Sequence, residues 1–225
     1  MAIPNKTSSA PGGQARLAWR RLALAALCAA GAGTAAAVDF GGHDPSPEVR
    51  HVAQWIGESG DNAGLPFMLI DKVSARVFVF DATGRLQGHE AALLGSARGD
   101  KTATGIGDLS LSAIRPEDRT TPAGRFVAHL DKDIKGRGVL LIDYDASIAL
   151  HPVVPGTPKE RRAERLQSET PDDNRISFGC INVPPSFYQS VVAPAFKQTA
   201  GIVYILPETS AASDVFGKQA DGAAK

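Results

Sequence analysis

The sequence predicts a mainly β protein: a single β-rich domain with short peripheral helices. Three observations lead there. Short runs of β-branched, aromatic and aliphatic residues recur between turn residues. The 225 residues include 23 Gly and 15 Pro, which suits many turns better than a helical bundle. Helical periodicity is clear only briefly, near residue 50. The length fits one domain with extensions better than two domains. Lys+Arg and Asp+Glu both total 24, so the formal charge is zero, which argues against nucleic-acid binding. With 43% hydrophobic and 21% charged residues, the chain does not read as disordered.

Residues 1–37 read as an export signal. Arg16, Arg20 and Arg21 precede an Ala/Leu run, Leu22 to Ala30, and Ala35-Ala36-Ala37 offers a small-residue cleavage site. The Ala/Gly-rich stretch Leu22 to Val38 is shorter than the roughly 20 apolar residues that span a bilayer, so cleavage is expected over a retained anchor. Cleavage removes Lys6, Arg16, Arg20 and Arg21 but no acid, taking 24 basic residues to 20 and leaving a charge of −4. It also removes Cys28. Cys180 is then a lone thiol in an oxidising compartment, either buried and inert or used.

Residues 38–64 form an N-terminal extension. Ser46-Pro47-Glu48 reads as a helix start, with Ser as N-cap and Pro at the first helical position, and Val49, Val52, Ala53 and Ile56 give one apolar face. From Leu65 the pattern turns strand-like. Phe67–Asp71 and Arg76–Asp81 are expected to form a hairpin around 72–75, and Asp81-Ala82-Thr83-Gly84 turns into a strand over 86–95. Residues 96–124 are polar and Gly/Thr-rich with at most one short strand, Asp108–Ile114, and strands follow at Arg125–Leu130, Val139–Tyr144 and Ser147–His151. Residues 152–175, with four prolines and a charged run from Lys159 to Arg165, cannot be core. A strand over Ser177–Val183, a short helix near 185–192 and a buried strand over Gly201–Leu206 follow, so the domain spans 65–207. Residues 208–225 are small and polar and are expected to be a disordered tail.

Two elements carry chemistry. In Ser177-Phe178-Gly179-Cys180-Ile181-Asn182, Gly allows close approach of the backbone and Cys follows at once. In Ser147-Ile148-Ala149-Leu150-His151-Pro152, a strand ends in histidine beside the long loop. A free thiol is only a few per cent thiolate at neutral pH, so a cysteine nucleophile needs a base or cation nearby. His43, His51, His89 and His129 lack such a setting. No His/Asp/Glu set falls at metal-ligand spacing.

The motif Ser177-x-Gly179-Cys180-Ile181-Asn182, with the strand-borne His151 upstream, resembles the signature of the L,D-transpeptidase catalytic domain of bacterial cell-wall enzymes. Thr121-Pro122-Ala123-Gly124-Arg125-Phe126 resembles the family's Thr-Pro-x-Gly-x-Phe element, and the opening hairpin and the closing 201–206 strand fit it as well. The resemblance implies a fold of mixed, sandwich-like sheets and an acyl transfer in which Cys180 attacks a peptidoglycan tetrapeptide, with His151 as base. It implies backbone N–H groups around Gly179 and Cys180 as oxyanion donors, Asn182 and Ser177 as supports of the motif, and no cofactor or metal. The implied partners are peptidoglycan stem peptides, a tetrapeptide donor and an amine acceptor. The implied location is the periplasm or cell wall, at a membrane only if the signal segment is uncleaved. The sequence departs from the family in three places. Phe178 replaces a second histidine, Pro152 follows the base, and about ten extra residues separate His151 from Ser177, raising the idea of a lid whose Arg161, Arg162, Arg165 or Arg175 meets substrate carboxylates. A solvated surface loop explains those charges at least as well. An L,D-carboxypeptidase, a wall-peptide hydrolase and a non-catalytic wall-binding domain are the alternative readings.

Overall fold

A computed structural model describes residues 37–217. The expected signal segment, but for Ala37, and residues 218–225 of the expected tail lie outside the described residues. The elements are α1 (Pro47–Ser59), β1 (Phe67–Asp71), β2 (Arg76–Phe80), β3 (Leu86–Ala91), β4 (Leu94–Gly95), β5 (Gly124–Lys132), β6 (Gly138–Asp143) and β7 (Ile148–Pro152). Then come α2 (Arg162–Arg165), β8 (Arg175–Ser177), β9 (Ile181–Val183), α3 (Pro185–Phe187), a π turn over Tyr188–Val192, α4 (Ala193–Ala195), β10 (Gly201–Ile205) and α5 (Ala212–Phe216).

The fold is mainly β with short helices. Eight strands form one mixed sheet in the order β3-β2-β1-β10-β5-β6-β7-β9, and β4 pairs with β8 in a second, two-stranded sheet. In the larger sheet the pairs β1–β10 and β7–β9 run parallel. Two residues beyond the β3 edge, Leu93 exchanges backbone hydrogen bonds of 2.8 and 2.9 Å with Asn182 on β9, the opposite edge. Two residues span at most about 7 Å, so the sheet must curl until its edges nearly meet.

Both faces of the central strands are buried over most of their length, which explains why residues 67–70, 77–80 and 202–205 read as unbroken apolar runs. Met68, Ile70, Val77, Val79, Val203 and Ile205 point into the core enclosed by the curl. Their alternates Phe67, Leu69, Phe78, Phe80, Ile202 and Tyr204 form a second core, capped by Val49, Val52, Ala53 and Ile56 of α1. The helix starts where expected: Ser46 Oγ accepts from the Val49 N–H at 3.3 Å, and Gly60, in the left-handed region at φ +67°, closes it.

Five segments differ from expectation. Residues 86–95 are not one strand but two, β3 in the larger sheet and β4 in the smaller. Residues 106–118 form three single 3₁₀ turns instead of a strand over 108–114, because Leu109 and Leu111 face solvent and Pro116 supplies no ladder donor. Residues 177–183 are not one strand: Ser177 ends β8, Ile181 begins β9, and the two lie in different sheets. Residues 185–195 are continuously helical through the π turn, longer than expected. The tail begins later than residue 208. Glu208 has a side chain 1% exposed and pairs with Arg175, and α5 stacks Phe216 on Trp55 at 6.1 Å.

Candidate active site

The nucleophile candidate sits in the three-residue break between the sheets, at Phe178-Gly179-Cys180. Local hydrogen bonds shape that break. Ser177 Oγ accepts from the Gly179 N–H at 3.1 Å and donates to the Cys180 carbonyl at 2.6 Å. Thr121 Oγ1 donates to the Gly179 carbonyl at 2.8 Å and accepts from the Gly95 N–H at 2.9 Å, tying the break to β4. Gly179 lies at φ +131°, and a Cβ there would stand 2.7 Å from the Thr120 carbonyl oxygen and 2.9 Å from Ile148 Cδ1, so no other residue fits without a shift.

Parallel pairing of β7 and β9 sets His151 directly beside Asn182, with Leu150 and Ile181 alternating into the core. The two polar side chains therefore lie on the face opposite Leu150 and Ile181, and Asn182 stands two residues after Cys180. Asn182 Nδ2 lies 3.1 Å from His151 Nε2, and His151 Nδ1 lies 2.8 Å from the Pro152 carbonyl oxygen. Arg162 Nη1 donates to Asn182 Oδ1 at 3.1 Å. Arginine has only donors, so it fixes the amide with Nδ2 toward the ring. Nε2 then accepts and Nδ1 carries the proton, making His151 a neutral imidazole with a defined tautomer. Burial holds its pKa below the usual histidine value, helped by the Arg137 and Arg162 charges and opposed by the Pro152 carbonyl and Asp133.

Cys180 is half-buried, and its thiol donates to the Ser147 carbonyl at 3.6 Å. Ser147 holds an unusual left-handed φ of +54° at the turn into β7, which aims that carbonyl. Burial pushes the thiol pKa up, against a backbone hydrogen bond from Ala149. The structure thus places Ser177, Gly179 and Cys180 in the break and pairs His151 with Asn182, two residues after Cys180. No hydrogen bond joins the Cys180 thiol to His151, each being held by its own partner.

Phe178 is half-buried, and the Arg119 guanidinium covers its ring at 4.3 Å from the centroid. The 153–174 segment is tied down. The Val153 N–H continues the β7–β9 ladder to the Val183 carbonyl at 2.8 Å, Arg162 pairs with Glu160, and Arg165 donates to the Glu160 and Asp173 carbonyls at 2.7 and 2.6 Å. The segment folds around an open cleft of about 370 Å³ lined by its own residues, among them Val153, Val154, Pro155, Pro158, Arg161 and Ala163. Arg161 pairs with Glu164 and Arg175 with Glu208, so all four arginines that a lid could have turned toward substrate have internal partners. Sequence reasoning missed Thr121, Ser147 and Arg119 as site residues, and it offered Arg162 only as a lid cation, not as the partner of Asn182. Of these, only Thr121 carried a signal, in the Thr-Pro-x-Gly-x-Phe element. Among the described residues no cluster of three or more His, Cys, Asp or Glu could hold a metal ion.

A mainly β fold with a Gly-Cys break beside a histidine-ended strand is the class of protein defined here. No family model matches the chain, and no curated protein matches it. Among solved structures it is similar to the avibactam carbamoyl enzyme of Ldtfm, with 16% identity and a TM-score of 0.37 over 64% of this chain and 49% of that one. It is also similar to an L,D-transpeptidase from Xylanimonas cellulosilytica DSM 15894, with 13% identity and a TM-score of 0.40 over 63% of this chain and 60% of that one. The chain spans about half the length of the first and three-fifths of the second. Likeness at these scores carries no argument about activity, which rests on the site itself.

Proposed function

We propose that this chain is an exported, cysteine-dependent acyl transferase that cross-links or remodels peptidoglycan by L,D-transpeptidation, as the resemblance of its Cys motif implies. The observation that carries the reading is the parallel β7–β9 pairing, which lays His151 beside Asn182, two residues after Cys180. On this reading the Asn182 amide yields His151 Nε2 and the thiol turns from Ser147. Nε2 takes the thiol proton as sulfur bonds to the carbonyl carbon between the third stem residue and the terminal D-alanine. The Nδ1–H bond to the Pro152 carbonyl stabilises the resulting imidazolium. The Gly179 N–H is already held by Ser177 Oγ, so of the two expected oxyanion donors the Cys180 N–H is the one left to act. The C–N bond breaks, the leaving amine takes the proton from His151, and a thioester remains. An acceptor amine then attacks the thioester, its proton passes through His151, and the thiol is restored.

The test is product analysis. The purified chain is incubated with disaccharide-tetrapeptide, and muropeptides are identified by mass spectrometry, with Cys180→Ala as control. Cross-linked dimer, or exchange of a supplied D-amino acid, that disappears in the variant is the expected result. Tripeptide alone moves the protein to the carboxypeptidase reading. No product from a folded chain, or equal product from Cys180→Ala, overturns the acyl-transfer reading.

A further inference from the structure

Arg119 stands over Phe178, which directly precedes Gly179 and Cys180. Two observations show that its guanidinium is fixed. Its face rests on the Phe178 ring, and its Nε and Nη2 both donate to the Ile114 carbonyl, at 3.2 and 3.1 Å. The flanking backbone is held as well. The Arg119 carbonyl accepts from the Ala97 N–H at 3.1 Å, and the Thr120 carbonyl packs against Gly179. Among the described residues Arg119 enters no ion pair, whereas Arg98, Arg115, Arg137, Arg161, Arg162 and Arg175 each meet an acid. A half-buried cation has lost part of its hydration, and a fixed guanidinium keeps its remaining N–H donors in a planar fork suited to a carboxylate.

The geometry points to Arg119 as a specificity-determining residue of the site, receiving a carboxylate that the acyl donor carries near the carbonyl attacked by Cys180. This rests on the acyl-transfer reading. Phe178 acquires a role by it. The aromatic ring standing where the resembling signature has a histidine is the platform that aims a cation drawn from the 115–121 segment. The arginines of the 153–175 stretch leave this task open, since their own neighbours occupy them.

The test needs no turnover. Cys180 in the purified chain is alkylated with iodoacetate, an anion, and in parallel with iodoacetamide, its neutral counterpart, and the rates are read at Cys180 by peptide mass. The iodoacetamide rate reports thiol access and reactivity, so their ratio isolates the charge at the site. Arg119→Met is expected to lower the iodoacetate-to-iodoacetamide ratio by about threefold to tenfold, a charge effect across several ångströms of partly screened space. The difference should shrink at high salt. Arg119→Lys should retain part of the ratio, and Phe178→Leu, which removes the platform and no charge, should lower it by a smaller factor. An unchanged ratio in Arg119→Met, with Cys180 still labelled, overturns the role of Arg119 and leaves the acyl-transfer reading standing. Failure of both reagents to label Cys180 in the unaltered chain, even at alkaline pH where a raised thiol ionises without a substrate, overturns the nucleophile assignment and this inference with it.

Discussion

Replacing Thr121 by valine tests whether the Gly-Cys break is held from β4. The Thr121 side chain is completely buried, and its hydroxyl serves two backbone groups, the Gly95 N–H at 2.9 Å and the Gly179 carbonyl at 2.8 Å. Valine has nearly the same shape but no hydroxyl, so it leaves both groups, each on a buried glycine, without that partner. An unsatisfied buried donor costs about 1–3 kcal/mol, and a carbonyl somewhat less because its second lone pair can adapt. The added methyl returns under about 1 kcal/mol. The net loss is about 2–3 kcal/mol, a large share of the roughly 5–15 kcal/mol that holds a domain folded. Urea unfolding followed by tryptophan fluorescence should show a midpoint about 1 M lower with an unchanged slope. Thr121→Ser keeps the hydroxyl and loses one methyl, so it should lose only about 1 kcal/mol. A valine variant within about 0.5 kcal/mol of the original, or a serine variant as weak as valine, would refute the reasoning.

Two further outcomes follow from the same network of buried contacts. Burial raises the Asp100 carboxyl, but the Lys72 ammonium at 2.7 Å and hydrogen bonds from Thr209, the Glu208 N–H and Ser210 outweigh it and hold Asp100 well below the usual carboxylate range. A carboxyl depressed in the fold adds stability that is present above about pH 4 and lost as pH falls toward its folded value. Melting temperatures measured from pH 6 down to 2 should therefore fall less steeply in Asp100→Asn, and an identical acid slope would remove Asp100 from the account. Phe216→Ala deletes the ring stacked on Trp55 at 6.1 Å and set edge-on to Tyr204 at 5.9 Å. It should cost about 2 kcal/mol in urea unfolding, whereas no change would return residues 212–216 to the status of an appended tail.

How much of this was legible in the sequence depends on distance along the chain. The Ser46-Pro47 helix start and the hairpin over 67–80 are written in neighbouring residues, so caps and turn signals suffice. The double burial of FMLID and GIVYI was legible as apolar runs, although their parallel pairing was not, because strand order leaves no local mark. The one short strand allowed over 108–114 does not form, because Leu109 and Leu111 face water and the segment turns into 3₁₀ geometry. In the site, Gly179, Cys180 and Asn182 announce themselves within one motif. Their supports do not: Thr121 reaches Gly179 across 58 positions and Arg162 reaches Asn182 across 20, contacts that exist only once the sheet has curled.

The electrostatics of the pair limit how it can work. Burial raises the Cys180 thiol and lowers the His151 imidazole, so both shifts favour the neutral thiol and neutral ring over the thiolate–imidazolium pair. Each group is also held away from the other, the thiol on Ser147 and Nε2 on the Asn182 amide. On the acyl-transfer reading the proton then moves only after a substrate has displaced both contacts. Arg162 sets the cost of the second displacement, because it holds the amide whose rotation frees Nε2. An empty site keeps its thiol protonated, and oxidants, like acyl donors, react with the thiolate. The same burial that slows the first step protects a lone cysteine wherever the surroundings are oxidising.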